Sequence, residues 1–206
     1  MSDRYLIPDT PLYRVEDIIK KSQFIVSLAH VCNADEAKAF VDAIKEEFPD
    51  ASHNCWAYQA GAPGTTAVVG MSDDGEPHGT AGKPMLNVLL HADVGEVAAV
   101  VTRYFGGTKL GTGGLVRAYS GMVKLGLETL PTREKITPVR FEVVIDYSHV
   151  TVFKRMLPEY EIRVLEENFG ADASFMVEMP KEHAETFTAA VVELTNGAAL
   201  IEEIDM

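Results

Sequence analysis

The segment PTREKITP, residues 131–138, decides how the chain divides. Two prolines bracket a charge cluster with no hydrophobic period, which is how an exposed linker reads. The expected organisation is a first domain over residues 1–130, a linker over 131–137 and a second domain over 138–206. Downstream, RFEVVIDY (from Arg140) alternates as a strand, and His149 to Tyr160 predicts a helix with Val150, Phe153 and Leu157 inward. EIRVLEENF and ASFMVEM read as two strands turned at Gly170. Lys181 to Asn196 predicts a second helix burying Ala184, Phe187, Val191 and Leu194, with Gly197 as its stop and AALIEEI as a closing strand. The order βαββαβ is the split-βαβ, ferredoxin-like arrangement.

Upstream, Tyr13 to Val31 holds two β-prone runs separated by KKSQ, which suits a turn between paired strands. Asn33 with Glu36 forms a capping-box pattern ahead of a helix that carries Ala37, Phe40, Val41, Ile44 and Phe48 on one face and stops at Pro49. HNCWAYQA (from His53) and TAVVGMS (from Thr66) read as strands, Met85 to Ala92 as a short helix, and the apolar run EVAAVVTRYF (from Glu96) as a buried strand. Leu115 to Leu130 places Leu115, Ala118, Tyr119, Met122 and Leu125 on one helical face. The fold class is therefore α+β in two domains.

Composition excludes several classes. With 47% apolar and 24% charged residues the chain is neither disordered nor a fibrous repeat. No apolar run reaches the ~20 residues of a membrane span, and the N-terminus lacks a secretory pattern. Cys32 and Cys55 form no CxxC pair, so a reduced, cytoplasmic protein without a cysteine-built zinc site is expected. The formal net charge of −13 disfavours indiscriminate binding to nucleic acid or anionic lipid. Yet Val97 to Leu127 contains Arg103, Lys109, Arg117 and Lys124 and no acidic residue. The second domain is the acidic one, and its ASFMVEMP strand supplies only Phe175 toward an RNP1 pattern, so any contact with RNA falls to the first domain.

Two stretches use residues in ways that packing does not require. DDGEPHGTAGKP (from Asp73) sets Gly75, Gly79 and Gly82 among Asp73, Asp74, Glu76, His78, Thr80 and Lys83. RYFGGTKLGTGGLVRAYSG (from Arg103) sets Gly106, Gly107, Gly111, Gly113 and Gly114 between a buried strand and a helix. Repeated glycine permits positive φ and close backbone approach, and a Gly-rich loop feeding a helix N-terminus favours anions. Most such loops are simply tight turns, and neither matches a P-loop or a Rossmann fingerprint. Asp73, Asp74, Glu76 and His78 offer hard ligands, but carboxylates in a polar loop usually cap backbone, so no metal and no cofactor are expected. His53 and Cys55 share one side of a strand, yet no partner acid or base accompanies them.

Together the two motifs resemble those of the IMPACT/YigZ family, with KKSQFI and HNCWAY also fitting its pattern and bacterial members the nearest in kind. The first motif falls on Asp74, Gly75, Glu76, Pro77, Gly79, Thr80, Ala81, Gly82 and Pro84. The second falls on Arg103, Tyr104, Gly106, Gly107, Leu110, Gly111, Gly113, Gly114, Arg117 and Tyr119. The resemblance implies a first domain similar to ribosomal proteins and to domain IV of elongation factor G, followed by a ferredoxin-like domain. It also implies a link to regulation of translation, and it carries over no catalytic residue.

The leading expectation is a binding protein that contacts RNA, the ribosome or a translation protein through the Gly-rich basic face of its first domain. The residues expected there are Asp74, Glu76, Gly79, Thr80, Gly82, Lys83, Arg103, Tyr104, Gly106, Gly107, Lys109, Gly111, Gly113, Gly114, Arg117 and Tyr119. The alternative is an enzyme acting on a small phosphorylated or carboxylated molecule held between the two loops, with Asp74, Glu76 or His78 as acid, base or ligand. No membrane partner is expected.

Overall fold

A computed structural model of the chain describes residues 4–204. Two compact units emerge, one over residues 5–135 and the other over the described residues from Ile136 onward together with Arg4. The larger unit is built on a five-stranded antiparallel sheet in the order β2-β3-β6-β4-β5. Its strands are β2 (Tyr13–Ile19), β3 (Ser22–His30), β4 (His53–Gln59), β5 (Val69–Ser72) and β6 (Val97–Tyr104). Three helices cover this sheet: α1 (Ala34–Glu47), α2 (Gly82–Leu90) and α3 (Thr112–Thr129).

The central strand explains the two faces. Side chains alternate along β6, so Val97, Ala99 and Val101 pack with Met85 and Leu89 of α2 and with Tyr119 and Met122 of α3. Val100, between them, points the other way and meets Val41 and Ile44 of α1. A strand covered on both sides needs a continuous apolar run, which is what VAAVV supplies. Each large apolar side chain buried this way contributes roughly 1.5–3 kcal/mol.

Local signals fix the ends. Lys20 (φ 47°) and Lys21 (φ 71°) form the two-residue turn of the β2–β3 hairpin, the left-handed geometry of a type I′ turn adopted without Asn or Gly. The Asn33 side chain accepts the Glu36 N–H (2.9 Å), and Glu36 reaches back to the Cys32 N–H (2.7 Å), one residue beyond the expected box. Only the second half of TAVVGMS is a strand, β5, and α2 begins earlier than its hydrophobic period suggests, at Gly82.

PTREKITP is not an irregular linker. Thr132–Ile136 forms β7, paired with an N-terminal strand β1 (Arg4–Pro8) in a separate two-stranded sheet. An edge strand with exposed charges carries no apolar alternation, so its sequence reads as loop. Beyond it, β8 (Pro138–Ile145), β9 (Arg163–Phe169), β10 (Ala173–Pro180) and β11 (Leu200–Ile204) form an antiparallel sheet in the order β11-β8-β10-β9. Helices α4 (Val150–Met156) and α5 (Ala184–Leu194) supply Phe153, Phe187 and Val191 to its core. The expected helix from His149 to Tyr160 is shorter, its last turn tightening to a 3-10 helix at Leu157–Tyr160. This is the ferredoxin-like arrangement, and Phe175 is fully buried in its core. No helix among the described residues is long and apolar enough to cross a membrane.

Candidate functional site

The first Gly-rich motif connects β5 to α2 and braces itself. Asp74 (φ 42°) and Gly75 (φ 87°) turn the chain so that the Glu76 N–H reaches the Asp73 carbonyl at 2.9 Å. The Asp73 carboxylate accepts N–H groups from Gly79 (2.7 Å), Gly82 (2.9 Å) and Ala81 (3.0 Å). Burial opposes its charge, but these three donors more than offset that and hold Asp73 below the usual carboxylate range. Asp74 is likewise opposed by burial and held low by Lys45 Nζ (2.5 Å) and the Asn54 N–H (2.7 Å). The Thr80 hydroxyl donates to the Pro77 carbonyl at 2.6 Å. A Cβ on Gly82 would stand 2.8 Å from the Ser72 carbonyl carbon, so only glycine lets α2 start this close to β5.

His53 and Cys55 do share one side of β4, and both face this loop. His53 Nδ1 lies 2.9 Å from the Asp74 carbonyl, and the Cys55 thiol donates to the Asp73 carbonyl at 2.9 Å. Burial pushes the Cys55 thiol up to about 12, which makes it a poor nucleophile.

Glu76 points inward and joins the two motifs. Its Oε1 accepts from Arg103 Nη1 of β6 (2.5 Å) and from the Tyr119 hydroxyl of α3 (2.7 Å). The Arg103 guanidinium also lies over the rings of Phe24 (5.5 Å) and Phe105 (5.6 Å), and Tyr119 meets Phe24 edge-on at 5.5 Å. Burial, then Cys55 and Glu76, raise the Tyr119 phenol well above its ordinary value. Arg103 is 5% exposed and Glu76 8%, so neither is a surface charge. This corrects the reading of Arg103 as part of a basic surface strip and of Tyr119 as a contact residue. The strand period hides it, because an Arg at a strand end reads as exposed unless its acceptor is known.

The same geometry assigns Asp73, Asp74 and Glu76 to backbone and ion-pair partners rather than to a shared metal position. His78 is exposed, its Nδ1 3.7 Å from Asp73 Oδ2. Gly106 is a packing residue, since a Cβ there would fall 1.8 Å from the Lys21 carbonyl oxygen. The half-buried Tyr104 donates its hydroxyl to Asp50 at 3.0 Å, and Gly79 and Gly114 are likewise half-buried.

What remains on the surface is Lys83, Gly107, Lys109, Gly111, Gly113 and Arg117. Gly111 (φ 73°) caps α3 without a side-chain acceptor, and neither Gly111 nor Gly113 has an atom within 4 Å of the place a Cβ would take. Alongside, α2 and α3 enclose an open groove of about 860 Å³ lined by Lys83, Asn87, His91, Ser120 and Lys124 over an apolar floor that includes Val88, Val116 and Leu127. Among the described residues, Glu128 is the one carboxylate that lines it. Sequence reading missed this groove, because its two walls lie far apart in the chain. It also missed a cluster at the opposite end of β6, where His30, Cys32 and Glu96 converge.

The sequence profile of the Impact N-terminal domain matches residues 20–127, and that of a domain of unknown function, DUF1949, matches residues 143–198. The chain is 40% identical over 203 residues to the IMPACT family member YigZ of Escherichia coli, covering 98% of this chain and 99% of that protein. It is 37% identical over 188 residues to the IMPACT family member YvyE of Bacillus subtilis, covering 91% and 86%. Over 92 residues it is 34% identical to the protein IMPACT homolog of Saccharomyces cerevisiae, covering 44% of this chain and 35% of that one. A crystal structure described as that of a hypothetical protein superposes with a TM-score of 0.67 at 39% identity, covering 100% of this chain and 99% of that one.

Proposed function

The chain belongs to the IMPACT family, and on that footing we propose that it is a translation-linked binding protein whose first unit contacts RNA, free or within the ribosome, through the α2–α3 groove and the adjoining Gly-rich loop. The observation that carries this reading is the concentration of Lys83, Lys109, Arg117 and Lys124, all exposed, on a chain whose net charge is −13. Arg117 and Lys124 lie seven residues apart on α3, so both reach the same side of the helix. Phosphate contacts of this kind hold a backbone without reading sequence, and the uncapped α3 N-terminus adds N–H donors of the same sense. Phe105, 50% exposed at the end of β6, offers a ring on which a base can stack.

The enzyme alternative gains no support, because the carboxylates it would use already hold the loop and the Arg103 guanidinium. The test is co-sedimentation with ribosomes and with free RNA at ~50 and ~200 mM salt. The comparison variant carries Lys83→Ala, Arg117→Ala and Lys124→Ala and leaves the internal Arg103 intact. The expected result is binding that weakens steeply with salt and is reduced in the variant on every RNA alike, with a shallower salt slope. Binding indifferent to salt, or equal in the variant, overturns the proposal.

A further inference from the structure

At the end of β3 the chain leaves the sheet through Val31 and Cys32 toward α1, and Glu96 stands beside it as the residue before β6. His30 Nε2 lies 2.8 Å from Glu96 Oε2, Cys32 Sγ lies 3.6 Å from His30 Nε2, and Sγ lies 3.7 Å from the same Oε2. We propose that His30, Cys32 and Glu96 form a binding site for a divalent zinc ion, with a fourth position open to water.

Three observations carry this. First, a tetrahedral ion bound at ~2.3 Å to sulfur and ~2.0 Å to nitrogen and oxygen sets its ligands roughly 3.3–3.6 Å apart. The two edges through sulfur are already at that length, and the third needs only the His30–Glu96 hydrogen bond to open by about half an ångström. Second, the two oxygens of Glu96 have separate work. Oε1 accepts from the Tyr5 hydroxyl at 2.9 Å and from the Lys135 ammonium, while Oε2 faces His30 and Cys32. Outer partners that hold one carboxylate oxygen and leave the other directed at an ion are the usual support of a metal ligand. Third, the backbone is held there at a cost. Glu96 is 5% exposed yet adopts φ 50°, fixed by its N–H to the Gly61 carbonyl (2.9 Å) and by its own carbonyl accepting from Val31 (2.9 Å). Strain in a buried charged residue that aims a side chain at two further donors is a mark of function.

Sulfur, imidazole and carboxylate together suit zinc rather than magnesium or calcium. Cys32 is exposed, which gives the ion an approach. On binding, the Cys32 S–H bond breaks, its proton passes to solvent and the thiolate pair binds the metal; the proton that His30 Nε2 donates to Glu96 leaves that nitrogen as Nδ1 takes one up, so the imidazole stays neutral and binds through Nε2. Because the ion displaces the thiol proton, apparent affinity increases with pH.

The full-length protein, dialysed against a chelator, is titrated with Co²⁺ as a spectroscopic stand-in and with Zn²⁺ by calorimetry in two buffers of different ionisation enthalpy. The expected result is one ion per chain, a near-ultraviolet thiolate-to-cobalt charge-transfer band, and release of about one proton per Zn²⁺. In Cys32→Ser the band disappears and Zn²⁺ affinity falls by at least ~10-fold, while His30→Gln weakens Zn²⁺ similarly. Because Cys32 is exposed, thermal unfolding of Cys32→Ser without metal stays near that of the parent. No binding, binding without the band, or a band that survives Cys32→Ser overturns the proposal.

Discussion

Glu76 Oε1 is shared between the guanidinium of Arg103 at 2.5 Å and the hydroxyl of Tyr119 at 2.7 Å, so one carboxylate ties the first Gly-rich motif to the strand and the helix of the second. The pair is buried, and its worth lies in the cost of breaking it. Arg103→Ala strands the Glu76 carboxylate without its cation and is expected to lower unfolding stability by about 3–5 kcal/mol. The double change Arg103→Met with Glu76→Gln removes both charges and keeps an acceptor for Tyr119, so it is expected to cost less than the two single changes added together. Urea unfolding of the parent, Arg103→Met, Glu76→Gln and the double variant measures the coupling. Additive losses would show that the two side chains do not act as a unit.

Much of this architecture was legible because it rests on periods. The alternation in β8, the unbroken apolar run of β6 and the Asn33–Glu36 cap each state their structure locally. β1 and β7 were not legible, since each is held by pairing with a strand more than a hundred residues away and neither shows a period. The site divided in the same way. Both motifs stood out by their glycines, but nothing local distinguishes Arg103, whose acceptor lies in another loop, from Lys109 or Arg117, which face solvent. The His30–Cys32–Glu96 corner was invisible for the same reason.

Acid should loosen the first unit through named carboxylates. Asp73, Asp74 and Glu96 are all opposed by burial and yet held below their ordinary values, by backbone N–H groups, by Lys45, and by Lys135 respectively. A carboxylate depressed in the folded state stabilises fully above its unfolded value, about 3.9 for Asp and 4.3 for Glu, and that stabilisation is lost as pH falls through the folded value. Melting temperature is therefore expected to hold between pH 6 and 7 and to fall below about pH 4. Asp73→Asn flattens the acid limb while lowering stability at neutral pH by about 1–3 kcal/mol, because an amide NH₂ replaces one of the oxygens facing N–H donors. An acid limb unchanged in Asp73→Asn would remove that residue from the account.

The glycines of the second motif separate by what a methyl group would meet. At Gly106 a Cβ would fall 1.8 Å from the Lys21 carbonyl oxygen, so Gly106→Ala must displace the β2–β3 turn and is expected to cost several kcal/mol. At Gly113 the space is open and φ is not left-handed, so Gly113→Ala is expected to be neutral or to stabilise α3 by up to about 1 kcal/mol. If RNA approaches the first turn of α3 closely, Gly113→Ala weakens binding without loss of stability. Thermal unfolding and co-sedimentation on the same samples distinguish a packing glycine from a contact glycine. Unimpaired binding by a stable Gly113→Ala protein would move the contact away from the helix start and toward the groove.

The two thiols should differ in reactivity by burial alone. Cys55 lies under the first loop, donating its S–H to the Asp73 carbonyl at 2.9 Å, with its thiol pushed up to about 12. Cys32 is exposed, and although its own thiol is raised by burial and by Glu96, reagent can reach it. A chromogenic disulfide is therefore expected to titrate one thiol in the native protein and two in denaturant. Since only the thiolate attacks, the native reaction should speed up with pH through a midpoint above the ~8.5 of a free cysteine. Cys32→Ser is expected to leave no fast-reacting thiol until the chain unfolds, which makes the slow phase of that variant a direct measure of how often the first loop opens. Fast labelling of Cys55 in the folded variant would mean that the Asp73–Ala81 loop opens far more readily than its network of N–H donors implies.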